Sequence, residues 1–265
     1  MSKQVAVKKE TAIALSGGFA AAAGSGFEEI TAQDLSVPFL RILAQLSPQV
    51  NKRDGAYVQG AEAGMIFNTV ANEAYDGEKG ILVVPCHYSR RMVEWRPRDQ
   101  GGGYVGSYSA DDPIIKRTTK DDRGNDILPN GNLLTNTAQF FVLLMHPDLG
   151  PQRCLITMTS TQLKKARKWL TQMQSLTGRD ANGRLYTMPM MSSVYTLRTV
   201  EERNDKGSWF GWEVSRARAL DESVSDDVEM FELAYGFAQS VRAGDVKVKE
   251  EQEHSGPVLD DDVPF

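Results

Sequence analysis

At 265 residues with 41% apolar content, the chain is long enough to bury one core with mobile ends, and no run reaches the ~18 consecutive apolar residues that a membrane helix requires. The formal net charge is −5, yet residues 250–265 carry −6 and residues 220–249 carry −4, which leaves +5 on residues 1–219. A uniformly acidic protein would be excluded from phosphate backbones, but a mildly basic body joined to an acidic end keeps nucleic acid among the partners.

Residues 1–29 are rich in Ala, Gly and Ser without apolar periodicity and read as a flexible N-terminal arm. Lys8 and Lys9 before Thr11 to Ala23 mimic a signal peptide only faintly, because Gly17 and Gly18 interrupt the apolar part, so a cytoplasmic location is expected. Order begins near Ile30, the start of a body domain over residues 30–244. There Asp34 is placed to cap a short helix carrying Val37, Leu40, Ile42 and Leu43, with Pro38 in its first turn. Gly80 to Tyr88 and Arg91 to Arg96 are β-rich runs that form either a hairpin or one bent strand. From Pro97 to Asn136 the composition turns to Gly, Asp, Asn and Lys, which predicts a long, partly mobile insertion.

Gln139 to His146 is apolar on both faces and should be a central strand, joined to Arg153 to Met158 across the turn residues Pro147 to Gly150. Thr159-x-x-Gln162 has the form of a capping box, and Leu163, Ala166, Leu170, Met173 and Leu176 follow at helical spacing until Gly178. Trp169 sits at the edge of that stripe. Ser192 to Thr199 and Ser208 to Arg216 are strands around the turn Asn204 to Gly207, and a last helix spans Asp226 to Val241. The expected fold is therefore mainly β with helices: an OB-fold-like small barrel of order β-β-β-α-β-β with a long loop insertion, a C-terminal helix and disordered tails. An α+β sandwich would give a similar string. Cys86 and Cys154 sit in separate apolar segments and read as buried hydrophobes; with His87, His146 and His254 scattered, no metal or other cofactor is expected.

Residues 245–265 form an acidic tail that ends in Asp260, Asp261, Asp262, Val263, Pro264 and Phe265. Three carboxylates can steer the tip toward a basic pocket, the Phe265 ring can fill an apolar hole, and Pro264 limits the entropy lost on docking. A tail serving solubility alone needs neither that ring nor that proline. The tip resembles that of bacterial single-stranded DNA-binding proteins, with Val263 in place of an isoleucine. The body, through TSTQLKKARKW and KGSWFGWEV, resembles the single-stranded DNA-binding proteins of tailed phages. The resemblance implies an oligonucleotide-binding barrel that protects single-stranded DNA during replication, recombination and repair, with the tip recruiting replication proteins such as a DNA polymerase, primase or helicase in the bacterial host's cytoplasm. The longer body and the missing Gly/Gln-rich linker depart from the bacterial pattern and leave a homodimer, rather than a tetramer, as the candidate assembly.

Sequence-independent single-strand binding needs cations for the backbone and aromatic faces for the bases. Two segments supply both. The first holds Arg90, Arg91, Trp95, Arg96 and Arg98 and leads into Tyr104 and Tyr108; alternation puts Arg91, Val93 and Trp95 on one face, with Trp95 either stacking on a base or joining the core. The second holds Lys206, Trp209 and Arg216, where Phe210, Trp212 and Val214 alternate toward the core and leave Trp209 to stack. Lys164 and Lys168, one turn apart on the first helix, are a solvated face, a DNA contact or a docking place for the acidic tail. Dispersed body acids and the absence of GxxxxGK[ST] and GxSxG motifs argue against an enzyme. The alternatives carried are a strand-annealing recombination mediator, a metal-dependent nuclease recruited by the tip, and a protein-only adaptor.

Overall fold

The two β-rich runs around Ser89 and Arg90 form one unbroken strand, Ile81–Trp95, which bends through a β-bulge between Pro85 and His87. The computed structural model describes residues 22–31, 34–204, 207–246 and 248. In chain order its strands are β1 (Leu40–Ile42), β2 (Ile66–Asn68), β3 (Glu73–Tyr75), β4 (Ile81–Trp95), β5 (Tyr104–Ser109), β6 (Thr119–Lys120), β7 (Asp126–Ile127), β8 (Leu133–His146) and β9 (Gly150–Met158). Helix α1 (Leu163–Gln174) follows, then β10 (Thr177–Arg179), β11 (Leu185–Thr187), β12 (Ser193–Asn204), β13 (Gly207–Ala219) and helix α2 (Ser225–Ala243).

Among the described residues the protein is mainly β with two α-helices, and its eight-stranded sheet curls into a half-barrel. The sheet runs β13-β12-β4-β8-β7-β6, with β5 added to β4 and β9 added to β8. The order β4, β8, β9, α1, β12, β13 is the three-strand, helix, two-strand order of an OB-like barrel, followed by the C-terminal helix α2. As its two-sided apolar pattern demands, β8 is central, paired along its length with β4 and β9. The small sheet β1-β2-β3 bridges the two open edges. On one side Phe39 makes a parallel bridge to Leu155 of β9. On the other, Gly77 carbonyl accepts from the Thr199 N–H, and the Phe210 ring lies so close to Gly64 that a Cβ there would meet it at 2.7 Å.

The two largest cores lie one on each side of the sheet. Inside the curl, Ile81, Val83, Phe140, Ile156, Tyr195 and Trp212 surround Trp169 of α1. Trp169 is fully buried at the centre of the stripe rather than at its edge, stacked on Phe140 with ring centroids 4.4 Å apart. Outside, Phe237, Ala234 and Ala238 of α2 cover Val84, Cys86, Phe141 and Leu143. Cys86 and Cys154 are free and buried, and burial pushes both thiols up to about 12, so they stay protonated and inert.

Three expectations are corrected. The segment from Asp34 to Leu43 is not a helix: the Asp34 carboxylate turns back onto Thr31, Pro38 holds Val37 extended, and Leu40 to Ile42 pair with β2. The capping box does not form, because Ser160 adopts a left-handed φ of 46° and a 3-10 turn, Ser160–Gln162, precedes α1. Gln162 instead gives its side chain to the Trp212 N–H and to Glu202, and the helix ends at Gln174 while Gly178 joins β10. The expected mobile insertion is folded: it supplies β5, β6, β7, the start of β8 and a 3-10 turn over Pro113–Arg117 capped by Asp112. Met92, Leu128 and Leu134 give it a core of its own, with Tyr108, Ile114 and Ile115 packed against it.

Candidate nucleic-acid interface

The first cationic segment lies on an arm built from the far half of β4 together with β5 and the start of β8. Antiparallel pairing sets Arg91 opposite Ser109, Val93 opposite Ser107 and Trp95 opposite Tyr104. Arg91 is exposed and Val93 fully buried. Trp95 is half-buried and meets the half-buried Tyr104 edge to face, with centroids 6.0 Å apart. Arg96 and Arg98 are exposed just beyond this aromatic pair, and the Arg96 N–H bonds to the Gly103 carbonyl, closing the turn that brings Tyr104 back to Trp95. Arg90 points to the other face, where its guanidinium donates to Asn136 at 2.9 Å. The arm thus ends in two rings flanked by two exposed guanidiniums.

Tyr108 has a different job from the stacking role its sequence position suggests. Its hydroxyl donates to the buried carboxylate of Glu94 at 2.6 Å, and Asn130 and Asn132 donate to the other oxygen. Burial raises the Glu94 pKa, but these three hydrogen bonds outweigh it and hold the group below its ordinary value as a carboxylate. Glu94 is therefore the polar post that ties the insertion to β4.

The second segment sits elsewhere. Trp209 pairs with Glu202 across β12 and β13, and its indole N–H donates to that carboxylate at 2.9 Å. Lys165 of α1 forms an ion pair with Glu202 at 2.5 Å, so α1 and the β12–β13 hairpin meet at one acid. Burial acts to raise the Glu202 pKa, and the Lys165 ammonium with the Trp209 and Gln162 hydrogen bonds brings it down overall. Lys164 and Lys168 are exposed on α1. A cleft of about 240 Å³ opens beside them, lined by Lys165, Lys168, Trp169, Glu202, Trp212 and Val214. Trp212 is buried and Phe210 and Val214 half-buried, as their alternation required. Arg216 is exposed and donates to Ser193 at 3.1 Å. Lys206, the tip Asp260 to Phe265 and most of the N-terminal arm lie outside the described residues.

The structure does not gather the two segments into one groove. β12 pairs with β4 only at Ile81 to Val83, and Glu202 and Trp209 lie beyond the Ile81 end. Trp95 is fourteen residues along at the other end of β4, about 45 Å of extended strand. Among the described residues, the arm combines exposed cations with a half-buried aromatic pair. Two further residues, the imidazole His87 and the guanidinium Arg242, flank it. The β4 bulge and the docking of α2 place them, and no short motif in the sequence marks them. Among the described residues no group of three or more His, Cys, Asp or Glu is arranged to hold a metal ion, and no helix is long and apolar enough to cross a membrane.

A family model described as Pam3 phage gp34-like protein matches residues 8–247. No curated protein and no solved structure matches the chain.

Proposed function

The chain belongs to the Pam3 phage gp34-like family, and from that premise we propose that it binds single-stranded DNA without sequence preference, in the cytoplasm of a bacterial host. The observation that carries this reading is the arm at the far end of β4, where the Trp95–Tyr104 pair stands between exposed Arg91, Arg96 and Arg98. Rings offer stacking faces to any base, and guanidiniums hold phosphates without reading sequence. The arm grows from the connection between the first two strands of an OB-like barrel, a position from which such folds contact oligonucleotides. The +5 charge of residues 1–219 favours the encounter.

The segment Asp260 to Phe265 then serves as the hook for replication proteins, by the acid-and-ring chemistry that its residues carry. Binding, protection and recruitment are the role; no chemical step on the strand is part of it.

The deciding experiment is a fluorescence titration of the full chain with oligo-dT at low and moderate salt, with duplex as control. Stacking on Trp95 quenches emission, and affinity for the single strand falls steeply as salt rises. Equal affinity for duplex, or no response to oligo-dT at low ionic strength, rejects the reading. Loss of full-length oligonucleotide on adding a divalent cation would favour a nuclease.

A further inference from the structure

A second group of basic residues borders the arm where α2 ends. The bulge between Pro85 and His87 sets two successive side chains, Cys86 and His87, toward the face that α2 covers. Cys86 joins the core beneath Phe237, and the His87 ring lies 6.0 Å from Phe141, which Phe237 meets edge to face. From the bulge onward the odd-numbered residues of β4 keep this face, so His87 and Arg91 share it, four residues apart. Arg242, in the last turn of α2, is exposed on the same side, and Arg153 of β9 lies over the Phe237 ring.

This group's basic side chains lack the carboxylate partners that several other cations have. Lys79, Lys120, Lys165 and Arg218 each have a carboxylate within 3.0 Å. Among the described residues, the side chains of Arg91, Arg242 and His87 have neither an ion pair nor a hydrogen bond, as is also true of Arg96, Lys164 and Lys168. Burial, then the charges of Arg242 and Arg91, hold His87 below the ordinary imidazole value, so it stands half-buried and neutral beside two uncompensated guanidiniums. Basic donors that share one face without an acid are what a phosphate oxygen requires.

We propose that His87, Arg91 and Arg242 form a phosphate clasp that holds the DNA backbone where α2 closes on β4, with Trp95 four residues beyond Arg91 on the same face of that strand. The clasp rests on the reading of the chain as a single-strand binder, and it extends the binding surface from the arm to a helix end that carries no aromatic residue of its own. Arg242 at a helix C-terminus also complements the helix dipole, but that alone places no demand on His87 or Arg91.

Two measurements on the full chain test it. Titration with inorganic phosphate, followed by the His87 imidazole resonances, should shift them saturably and move the protonation of the ring to higher pH; resonances that stay put overturn the clasp whatever the protein does with DNA. In oligo-dT binding, Arg242→Gln should weaken affinity about five- to tenfold, with the salt dependence shallower by ~0.7, the loss of one phosphate contact on a single strand. His87→Gln with Arg242→Gln should lose more than either alone while the melting temperature holds. If wild type binds oligo-dT and Arg242→Gln retains both affinity and slope, the clasp is overturned and the single-strand reading stands. If phosphate shifts His87 but no oligonucleotide binds at low salt, both fall.

Discussion

Tryptophans of one residue type serve opposite ends here, and burial separates them. Trp169 stacks on Phe140 inside the curl, so Trp169→Ala should cost the fold ~3–5 kcal/mol, read as a lower denaturant midpoint. Trp95 is half-buried at the end of the arm, and Trp95→Ala should weaken oligo-dT binding by ~1–3 kcal/mol with little change in melting temperature. A collapsed transition in that variant would assign Trp95 to the core instead. Glu94 offers a third test. Its carboxylate accepts from Tyr108, Asn130 and Asn132, and Glu94→Gln turns an amide N–H₂ toward donors. Loss of ~1–3 kcal/mol in urea unfolding is expected, concentrated in the insertion; a neutral result would show that Glu94 does not tie it down.

At the scale of elements, α2 is held by its apolar face and by one two-pronged ion pair. Arg218, next to last in β13, donates to both oxygens of Asp227 at 2.5 and 2.7 Å, and the Asp221 N–H adds a third bond. These contacts, chiefly the Arg218 hydrogen bonds, hold the Asp227 carboxyl below its ordinary value. A depressed folded pKa contributes stability that is present in full above the unfolded value of about 3.9 and disappears as pH falls through the folded one. The stability gap between wild type and Asp227→Asn should therefore be constant from pH 7 to 5 and close below about pH 4; a gap unchanged at pH 2 would remove the pair from the account. The order of strands and helices was legible in the sequence because apolar periodicity is local: the two-sided run Gln139 to His146 and the stripe from Leu163 to Met173 both fall where alternation and helical spacing put them. The helix expected after Asp34 was not, because three residues of β1 are a strand only by virtue of β2 and β9 beside them. The insertion likewise reads as loop until Met92, Leu128 and Leu134 meet.

For the whole molecule, the two cationic segments lie at opposite ends of β4, and this separation is measurable. An oligonucleotide of about 5 nucleotides, near the short end of OB site sizes, should feel Trp95→Ala and not Trp209→Ala, while a longer strand should feel both if it passes around the barrel. Removing Val258 to Phe265 should leave oligo-dT binding intact or tighter and abolish capture of replication proteins; a loss of oligonucleotide affinity would contradict the proposed division between body and tail. The split of charge between body and tail, the three-strand, helix, two-strand order and the inward Trp212 were fixed by composition and periodicity, which depend on near neighbours along the chain. Which cations stand together was decided only by the folded sheet. One bulge at Cys86 and His87 resets the facing of all that follows in β4, and the short pairing of β12 with β4 sends Trp209 away from Trp95. Bulges and register are settled by the strand alongside, and no residue carries that information in its own sequence.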